Sequence, residues 1–117
     1  MARFSRAYFR KDREMLAEAI TPDAEWHFAF GPDVPNGRVR AGIDGFMQGI
    51  AENDELFERL RFEDVVIRGF SANEIIMTYL AAGTRRNGES FQLRGIELIR
   101  VKDGRVALKD VYWKQEA

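Results

Sequence analysis

Two glycine-containing turns near the C-terminal end constrain the fold more than any other feature of this sequence. They separate three strand-like runs of residues, at 74–84, 90–101 and 106–115. Asn87-Gly88 lies in the first turn and Asp103-Gly104 in the second, and both dipeptides favour the positive φ angles of a type I′ turn. The sequence therefore predicts two consecutive β-hairpins that together form a curved antiparallel meander.

The residues before the meander predict three helices and two more strands. Helices are expected at residues 2–10, 13–20 and 42–53, strands at 24–30 and 56–70, and a loop at 31–40. Asp12 is a typical N-cap for the second helix, and Pro22 ends that helix because proline disfavours helical geometry in the residue before it. The element order predicts an α+β fold in which the helices cover one face of the sheet and a conical pocket lies between them.

Composition limits the class of protein. The 117 residues are expected to form one domain, 1–117, with a packed core, because 45% are hydrophobic and 12% aromatic. The 18 basic and 19 acidic residues are well mixed, which predicts neither a nucleic acid nor a membrane surface as partner. The chain has no cysteine and one histidine, so neither disulfides nor a zinc site are expected. We also expect a cytoplasmic protein, because no stretch is typical of a signal peptide.

Several short motifs, in their order along the chain, resemble the nuclear transport factor 2-like superfamily, which includes ketosteroid isomerase and the SnoaL-like polyketide cyclases. They lie at residues 23–26, 40–46, 87–88, 96–106 and 111–113, and the resemblance covers nearly the whole chain. It implies a cone-shaped α+β barrel, with a curved antiparallel sheet wrapped around the N-terminal helices and the third helix. The same fold carries isomerases, cyclases, dehydratases and non-catalytic binding modules, so it does not define the chemistry.

The resemblance also assigns possible catalytic positions. Glu97 stands where ketosteroid isomerases carry a protonated aspartate that binds the developing oxyanion, but Phe4 and Phe28 stand where they carry a tyrosine and the proton-shuttling aspartate. Phenylalanine has neither a donor nor a base, so steroid isomerisation by that mechanism is not expected. The charged pattern of the related epoxide hydrolases is missing as well, because residues 76–80 carry no charge and Val111 occupies the place of an aspartate.

Glu97 is the candidate catalytic residue. Strand alternation puts it on one face with Leu93, Gly95 and Ile99, where an apolar setting would suit a general acid or base. The alternative is a glutamate that is paired with a basic residue or reaches the cavity mouth. Lys109 alternates with Val111 and would pair with Glu97 if it faced the cavity, but we favour a solvated lysine near the sheet edge.

Other residues are predicted to bind the ligand. Trp26, Phe28 and Trp113 would form an aromatic wall, although plain core packing explains each of them singly. The predicted ligand-binding set combines strand alternation with the cavity positions that the resemblance implies: Tyr8, Trp26, Phe28, Thr78, Leu80, Leu93, Lys109, Val111 and Trp113. His27 alternates with Trp26 and Phe28, so it is expected to point away from the pocket.

The remaining apolar residues of the meander predict an interface. Met77, Tyr79, Ile96, Leu98 and Tyr112 are assigned to the outer, convex face of the sheet, where the resemblance implies a two-fold homodimer. The function expected is a cofactor-independent acid–base reaction, of isomerase, cyclase or dehydratase type, on a small apolar molecule with a carbonyl group. A carrier of a small hydrophobic ligand is the alternative, and a purely structural module is a third hypothesis.

Overall fold

Three helices and six strands make up the part of the chain that the structure describes. The structure, a computed structural model, describes residues 2–115, so Met1, Glu116 and Ala117 of the expected domain lie outside the described residues. The elements are α1 (Ala2–Arg10), α2 (Arg13–Ala19), β1 (Ile20–His27), β2 (Val39–Ala41), α3 (Gly42–Leu56), β3 (Phe57–Phe70), β4 (Glu74–Arg85), β5 (Ser90–Lys102) and β6 (Arg105–Trp113). The predicted helices and long strands are confirmed, whereas β2 overlaps the end of the predicted loop, and β1 ends three residues before the predicted strand 24–30 does.

The N-terminal elements begin and end where local chemistry requires. The Asp12 side chain accepts a hydrogen bond from the Met15 backbone N–H at 3.1 Å, as expected of an N-cap. The second helix ends at Ala19, before Pro22 as predicted, and β1, which begins at Ile20, includes Pro22. None of the helices within residues 2–115 has the length and apolar character needed to cross a membrane.

All six strands form one open sheet, in the order β2-β1-β6-β5-β4-β3. Four neighbouring pairs are antiparallel, but β1 runs parallel to β6, so the expectation of a wholly antiparallel sheet is wrong in this detail. No hairpin joins β1 to β6, and hence no tight turn forces them to run in opposite directions. The α+β cone is confirmed, with a curved sheet that stays unclosed between β2 and β3.

The helices pack against one face of the sheet, which we call the inner face. Phe46 of α3, Leu16 of α2 and Ile99 of β5 are among the most completely buried side chains. The helix α3 approaches β1 closely because Gly49 has no side chain, and a Cβ built there would lie 2.6 Å from the Trp26 ring. The opposite face of the sheet is the outer face.

The hairpin between β4 and β5 differs from the prediction. Its loop has three residues, because Arg85 N–H donates to Glu89 O at 2.8 Å and Gly88 N–H donates to Arg85 O at 2.9 Å. Gly88 has a φ of 91°, while Asn87 does not have the positive φ that a type I′ turn requires. In the hairpin between β5 and β6, Asp103 (φ 53°) and Gly104 (φ 74°) both have positive φ, as predicted.

The extra loop residue reverses the faces assigned to β4. Met77 lies opposite Glu97 in the register, so Met77 and Tyr79 share the inner face with Glu97. Thr78 lies opposite Ile96, which places Thr78 and Leu80 on the outer face. The inward assignment of Thr78 and Leu80 is therefore wrong, as is the outward assignment of Met77 and Tyr79.

Candidate functional site

The inner face of the sheet and α1 enclose a cavity of about 210 Å³, which we call the Glu97 cavity. A smaller space of about 30 Å³ adjoins it toward β1 and β6. The residues that line both spaces are mostly aromatic or ionisable: Tyr8, Phe62, Tyr79, Glu97 and Lys109. The cavity is therefore apolar in most of its wall and carries a few convergent polar groups, as small-molecule sites do.

Glu97 and Lys109 form an ion pair in the wall of this cavity. The Lys109 Nζ lies 2.5 Å from Glu97 Oε1, and the two residues are 7% and 6% exposed. They lie on adjacent strands, where Glu97 is opposite Val111 and Ile99 is opposite Lys109, so the pair is diagonal on the inner face. The solvated lysine that the sequence favoured is thus wrong, because Lys109 points inward and is buried.

Lys109 keeps its positive charge despite its burial. Burial is the largest single effect and lowers the pKa of Lys109, but the Glu97 carboxylate and Tyr8 together raise it by more, so the resulting pKa lies above its ordinary value. The Lys109 Nζ also lies 5.3 Å from the ring centroids of both Tyr8 and Trp26, within the range of a cation–π contact. An ammonium group held in this way is an electrostatic partner and a hydrogen-bond donor, and it is not a free amine nucleophile.

Two tyrosine hydroxyls stand beside the ion pair. Asn53 Nδ2 donates to Tyr8 Oη at 3.1 Å, and Trp113 Nε1 donates to Tyr79 Oη at 3.0 Å. Because each hydroxyl accepts from an N–H group, its own proton can be donated, and the Tyr79 hydroxyl donates to the Glu97 carboxylate. Burial raises the pKa of Tyr8 and of Tyr79, and the negative charge of Glu97 raises both further. Both hydroxyls are therefore neutral hydrogen-bond donors.

Aromatic rings form the wall on the β1 side. The rings of Trp26 and Phe28 stack at 4.3 Å between centroids, and the Tyr8 ring meets Trp26 at 5.6 Å. Trp113 packs against Phe57 at 6.1 Å, which continues the wall toward α3. Trp26, Phe28, Phe57 and Trp113 line the adjoining space of about 30 Å³ and not the Glu97 cavity. A flat ligand in the Glu97 cavity would therefore meet other rings, among them those of Tyr8, Phe62 and Tyr79.

The structure brings most of the predicted residues together but not all of them. Those that line the cavity or the adjoining space are Tyr8, Trp26, Phe28, Glu97, Lys109, Val111 and Trp113. Leu93 lies instead at a separate shallow pocket beside Phe30. On the outer face, Thr78 accepts a hydrogen bond from Arg68, and His27 lies 2.8 Å from Glu25, so the prediction that His27 points away from the pocket is confirmed.

Sequence reasoning did not find three residues of the site. Tyr79 was placed on the wrong face, a mistake that only the hairpin register could have prevented. Asn53 was read as the end of the third helix, where an amide gives no sign of a distant partner. Phe62 lies on an edge strand that carries a β-bulge, which disturbs the alternation that would have indicated its direction.

A curved sheet with helices over its inner face is the cone-shaped fold of nuclear transport factor 2-like proteins. The model of the SnoaL-like domain matches residues 1–109, so the chain belongs to the SnoaL-like domain family. No protein of curated function gave a significant match.

Solved structures share this architecture at low sequence identity. A nuclear transport factor 2-like protein from Burkholderia xenovorans has a TM-score of 0.81 at 16% identity, over 97% of this chain and 85% of the other. A candidate polyketide cyclase from Xanthomonas campestris has a TM-score of 0.76 at 17% identity, over 97% and 86%. TerC, co-crystallised with polyporic acid, has a TM-score of 0.70 at 15% identity, over 97% and 87%. These matches show the fold.

Proposed function

We propose that the protein is a cofactor-independent acid–base enzyme, of isomerase, cyclase or dehydratase type, for a small apolar molecule that bears a carbonyl group. The observation that carries this proposal is the buried Glu97–Lys109 ion pair in the wall of an apolar cavity. Perturbed ionisable groups inside a concave apolar site are typical of active sites. A protein of similar fold that is named a candidate polyketide cyclase, and another that was co-crystallised with polyporic acid, add support.

The proposed reaction moves one proton without a redox step. The Glu97 carboxylate, which is paired with Lys109, accepts a proton from the carbon next to the ligand carbonyl. The electron pair of that C–H bond moves onto the carbonyl oxygen and makes an enolate. The hydroxyl protons of Tyr8 and Tyr79 and the Lys109 ammonium stabilise the enolate oxygen, and Glu97 then returns the proton to another atom of the ligand.

The second candidate function is a carrier that binds such a molecule without turnover. It is favoured by Phe4 and Phe28, which occupy the positions where ketosteroid isomerases have a tyrosine and an aspartate. Among the residues that line the cavity in the described part of the chain, Glu97 is the only carboxylic acid. A carrier would use the ion pair to orient a carbonyl oxygen and would leave every C–H bond intact.

Proton exchange separates the two functions without knowledge of the natural substrate. Cyclohexanone and 2-cyclohexen-1-one in D₂O would be followed by NMR for loss of the signals from hydrogens next to the carbonyl. The wild-type protein should accelerate the exchange, and Glu97→Gln should reduce the acceleration by about 100-fold or more. The matched control is Glu18→Gln, which changes an exposed carboxylate of α2 and should exchange at the wild-type rate.

The outcomes of this experiment differ for each function. Equal exchange in wild type and a folded Glu97→Gln variant would remove Glu97 from the reaction. Saturable binding of either ketone to the wild type without exchange would leave the carrier function. Glu97→Asp, which keeps a carboxylate, provides a second variant in case Glu97→Gln does not fold.

We also propose that two copies of the chain associate through the outer face of the sheet. Ile96, Leu98 and Tyr112 form its apolar part, because Met77 and Tyr79 point inward. Tyr112 is 52% exposed, which is unusual for a large aromatic side chain near the middle of a sheet.

A further inference from the structure

We infer that Phe62 limits the ligand of the Glu97 cavity to one six-membered ring. The inference rests on the proposed function only in that the Glu97 cavity is the ligand site. The observation behind it is a second space of about 180 Å³ between α1, α3 and β3, which we call the Asn53 cleft. Tyr8, Phe9 and Phe62 line both spaces and therefore form the partition between them.

The volumes decide how large a ligand the partition allows. A cavity of about 150 Å³ in a protein core holds one benzene molecule. The Glu97 cavity, at about 210 Å³, therefore has room for a single ring with a small substituent. If the Asn53 cleft were joined to it, the common volume would enter the range of about 300–1,000 Å³ that larger ligands occupy. With the partition in place the Glu97 cavity holds one ring, and without it the joined space would hold fused rings.

Of the three partition residues, Phe62 is the one that closes the cavity and whose removal leaves the ion pair intact. Tyr8 is held by Asn53 and contacts Lys109, so changing it would alter the polar site itself. Phe9 is 64% exposed and closes little of the opening. The Phe62 ring packs edge-on against Tyr79, with 4.9 Å between centroids and 70° between the ring planes. The phenyl ring of Phe62 has no hydrogen-bonding group, so its removal takes no hydrogen bond from Glu97 or Lys109.

The backbone of β3 explains why Phe62 reaches into the cavity. β3 is an edge strand, and its register against β4 shifts between Glu63 and Val66. Two residues, Asp64 and Val65, therefore lie opposite Tyr79, and Asp64 has a φ of 52°. Such a bulge redirects side chains, and here both Phe62 and Val65 line the Glu97 cavity.

The test compares two ketones that differ by one fused ring. Binding of 2-cyclohexen-1-one and 1-tetralone would be measured by NMR titration of the full chain. The wild type should bind cyclohexenone. Its affinity for tetralone should be at least about tenfold weaker than the affinity of Phe62→Ala for tetralone. Phe62→Ala also removes a wall contact of cyclohexenone, because Phe62 lines the Glu97 cavity. The readout is therefore the ratio of the two affinities, which should shift toward tetralone by at least about tenfold.

Two further variants make the result specific. Phe70→Ala removes a phenylalanine from the same strand that is 79% exposed, so it should keep the wild-type preference. Phe62→Leu keeps part of the partition, and its tetralone affinity should lie between those of wild type and Phe62→Ala. If Phe62→Ala does not fold, this smaller change still tests the partition.

Failure of this inference can be distinguished from failure of the proposed function. Equal tetralone affinity in wild type, Phe62→Leu and Phe62→Ala would refute the role of Phe62 and leave the Glu97 site intact. If neither ketone binds saturably to any variant, the cavity as ligand site is refuted, and with it both proposals. Proton exchange does not enter this experiment, so a carrier would satisfy it as well as an enzyme.

Discussion

Glu97 and Lys109 stabilise each other at a depth where either charge alone would be unfavourable. Glu97→Gln leaves an ammonium group buried without a counter-charge, and we expect the free energy of unfolding to fall by about 3–5 kcal/mol. Lys109→Met should cost a similar amount. The double variant Glu97→Gln/Lys109→Met should be more stable than either single variant, because it buries no unpaired charge. Urea denaturation of the four proteins measures this cycle.

An exposed ion pair of the same chain provides the control for that cycle. Lys11 Nζ lies 2.6 Å from Asp54 Oδ2, and the two side chains are 54% and 51% exposed. Because water screens this pair, its coupling should be about 0.2–1 kcal/mol. Additive effects of the two substitutions at Glu97 and Lys109 would contradict the structure, since residues in contact should couple.

The buried tyrosines predict a loss of stability in alkaline solution. The pKa values of Tyr8 and Tyr79 are raised in the folded protein, mainly by burial, so both stay protonated at a pH where the unfolded chain has begun to ionise. Their stabilising effect is complete below the unfolded pKa of about 10 and is lost as the pH rises toward the folded-state values. The raised pKa of Lys109 acts in the same direction.

Tyrosinate absorbance and circular dichroism, recorded across the same alkaline titration, check this prediction. Tyr112 is half exposed and would ionise separately, so the experiment uses Tyr112→Phe, which leaves Tyr8 and Tyr79 as the only tyrosines. Both should ionise together with unfolding. Tyrosinate formation near pH 10 in a protein that keeps its native circular dichroism would show that the hydroxyls are not buried.

At the scale of elements, the sequence predicts which helices and long strands form but not how the strands align. Periodicity of apolar residues is a local property, and it correctly indicated α1 to α3 and β3 to β6. Register depends on loop length, and Asn87-Gly88, which favours a two-residue loop, also fits a three-residue loop in which only Gly88 has positive φ. Because the loop has one residue more than expected, Tyr79 faces the cavity where Thr78 was predicted.

The hairpin between β5 and β6 shows why the inward residues of β6 were predicted correctly from the resemblance. Its type I′ turn alone would set a register that puts Lys109 on the outer face. A bulge between Arg100 and Val101 shifts the register by one residue and returns Lys109 to the side of Glu97. The resemblance to the family correctly placed Val111 and Trp113 on the inner face. That placement already assumes the shifted register, which the local residues do not reveal.

The contact between α3 and β1 sets two physical effects against each other at Gly49. Alanine is favoured over glycine within a helix by about 1 kcal/mol, so Gly49→Ala would stabilise an isolated α3. In the structure a Cβ at this position would lie 2.6 Å from the Trp26 ring and 2.9 Å from the Phe28 ring. Since both rings are buried in the core, we expect a net loss of about 1–3 kcal/mol.

Urea denaturation measures this balance, and Gln48→Ala is the control. Gln48 is the exposed neighbour of Gly49 in α3, so its substitution reports helix propensity with little change in packing. It should leave the free energy of unfolding nearly unchanged. An increase in stability of Gly49→Ala would mean that α3 does not pack this closely on Trp26.

For the whole molecule, the outer face of the sheet is the surface best suited to a second copy of the chain. A broad groove of about 730 Å³ crosses it, lined by apolar residues such as Ile96 and Tyr112 and by the basic side chains of Arg68, Arg94 and Lys114. Acidic groups, Glu25 and Asp110, lie on the same face toward β1. In a two-fold dimer the basic region of each copy can meet the acidic region of the other, so a face that carries both regions can be self-complementary.

Light scattering during size-exclusion chromatography tests this arrangement, with a chain mass of 13.5 kDa as the reference. The wild type should elute at twice that mass at micromolar concentration. Tyr112→Glu should give the mass of one chain, because it adds a charge next to Asp110 in the middle of the proposed interface. Phe70→Glu adds the same charge at a residue of β3 that is 79% exposed and outside the groove, so it should remain a dimer. A wild-type mass of one chain, or a Tyr112→Glu protein that stays a dimer, would exclude the outer face as the interface.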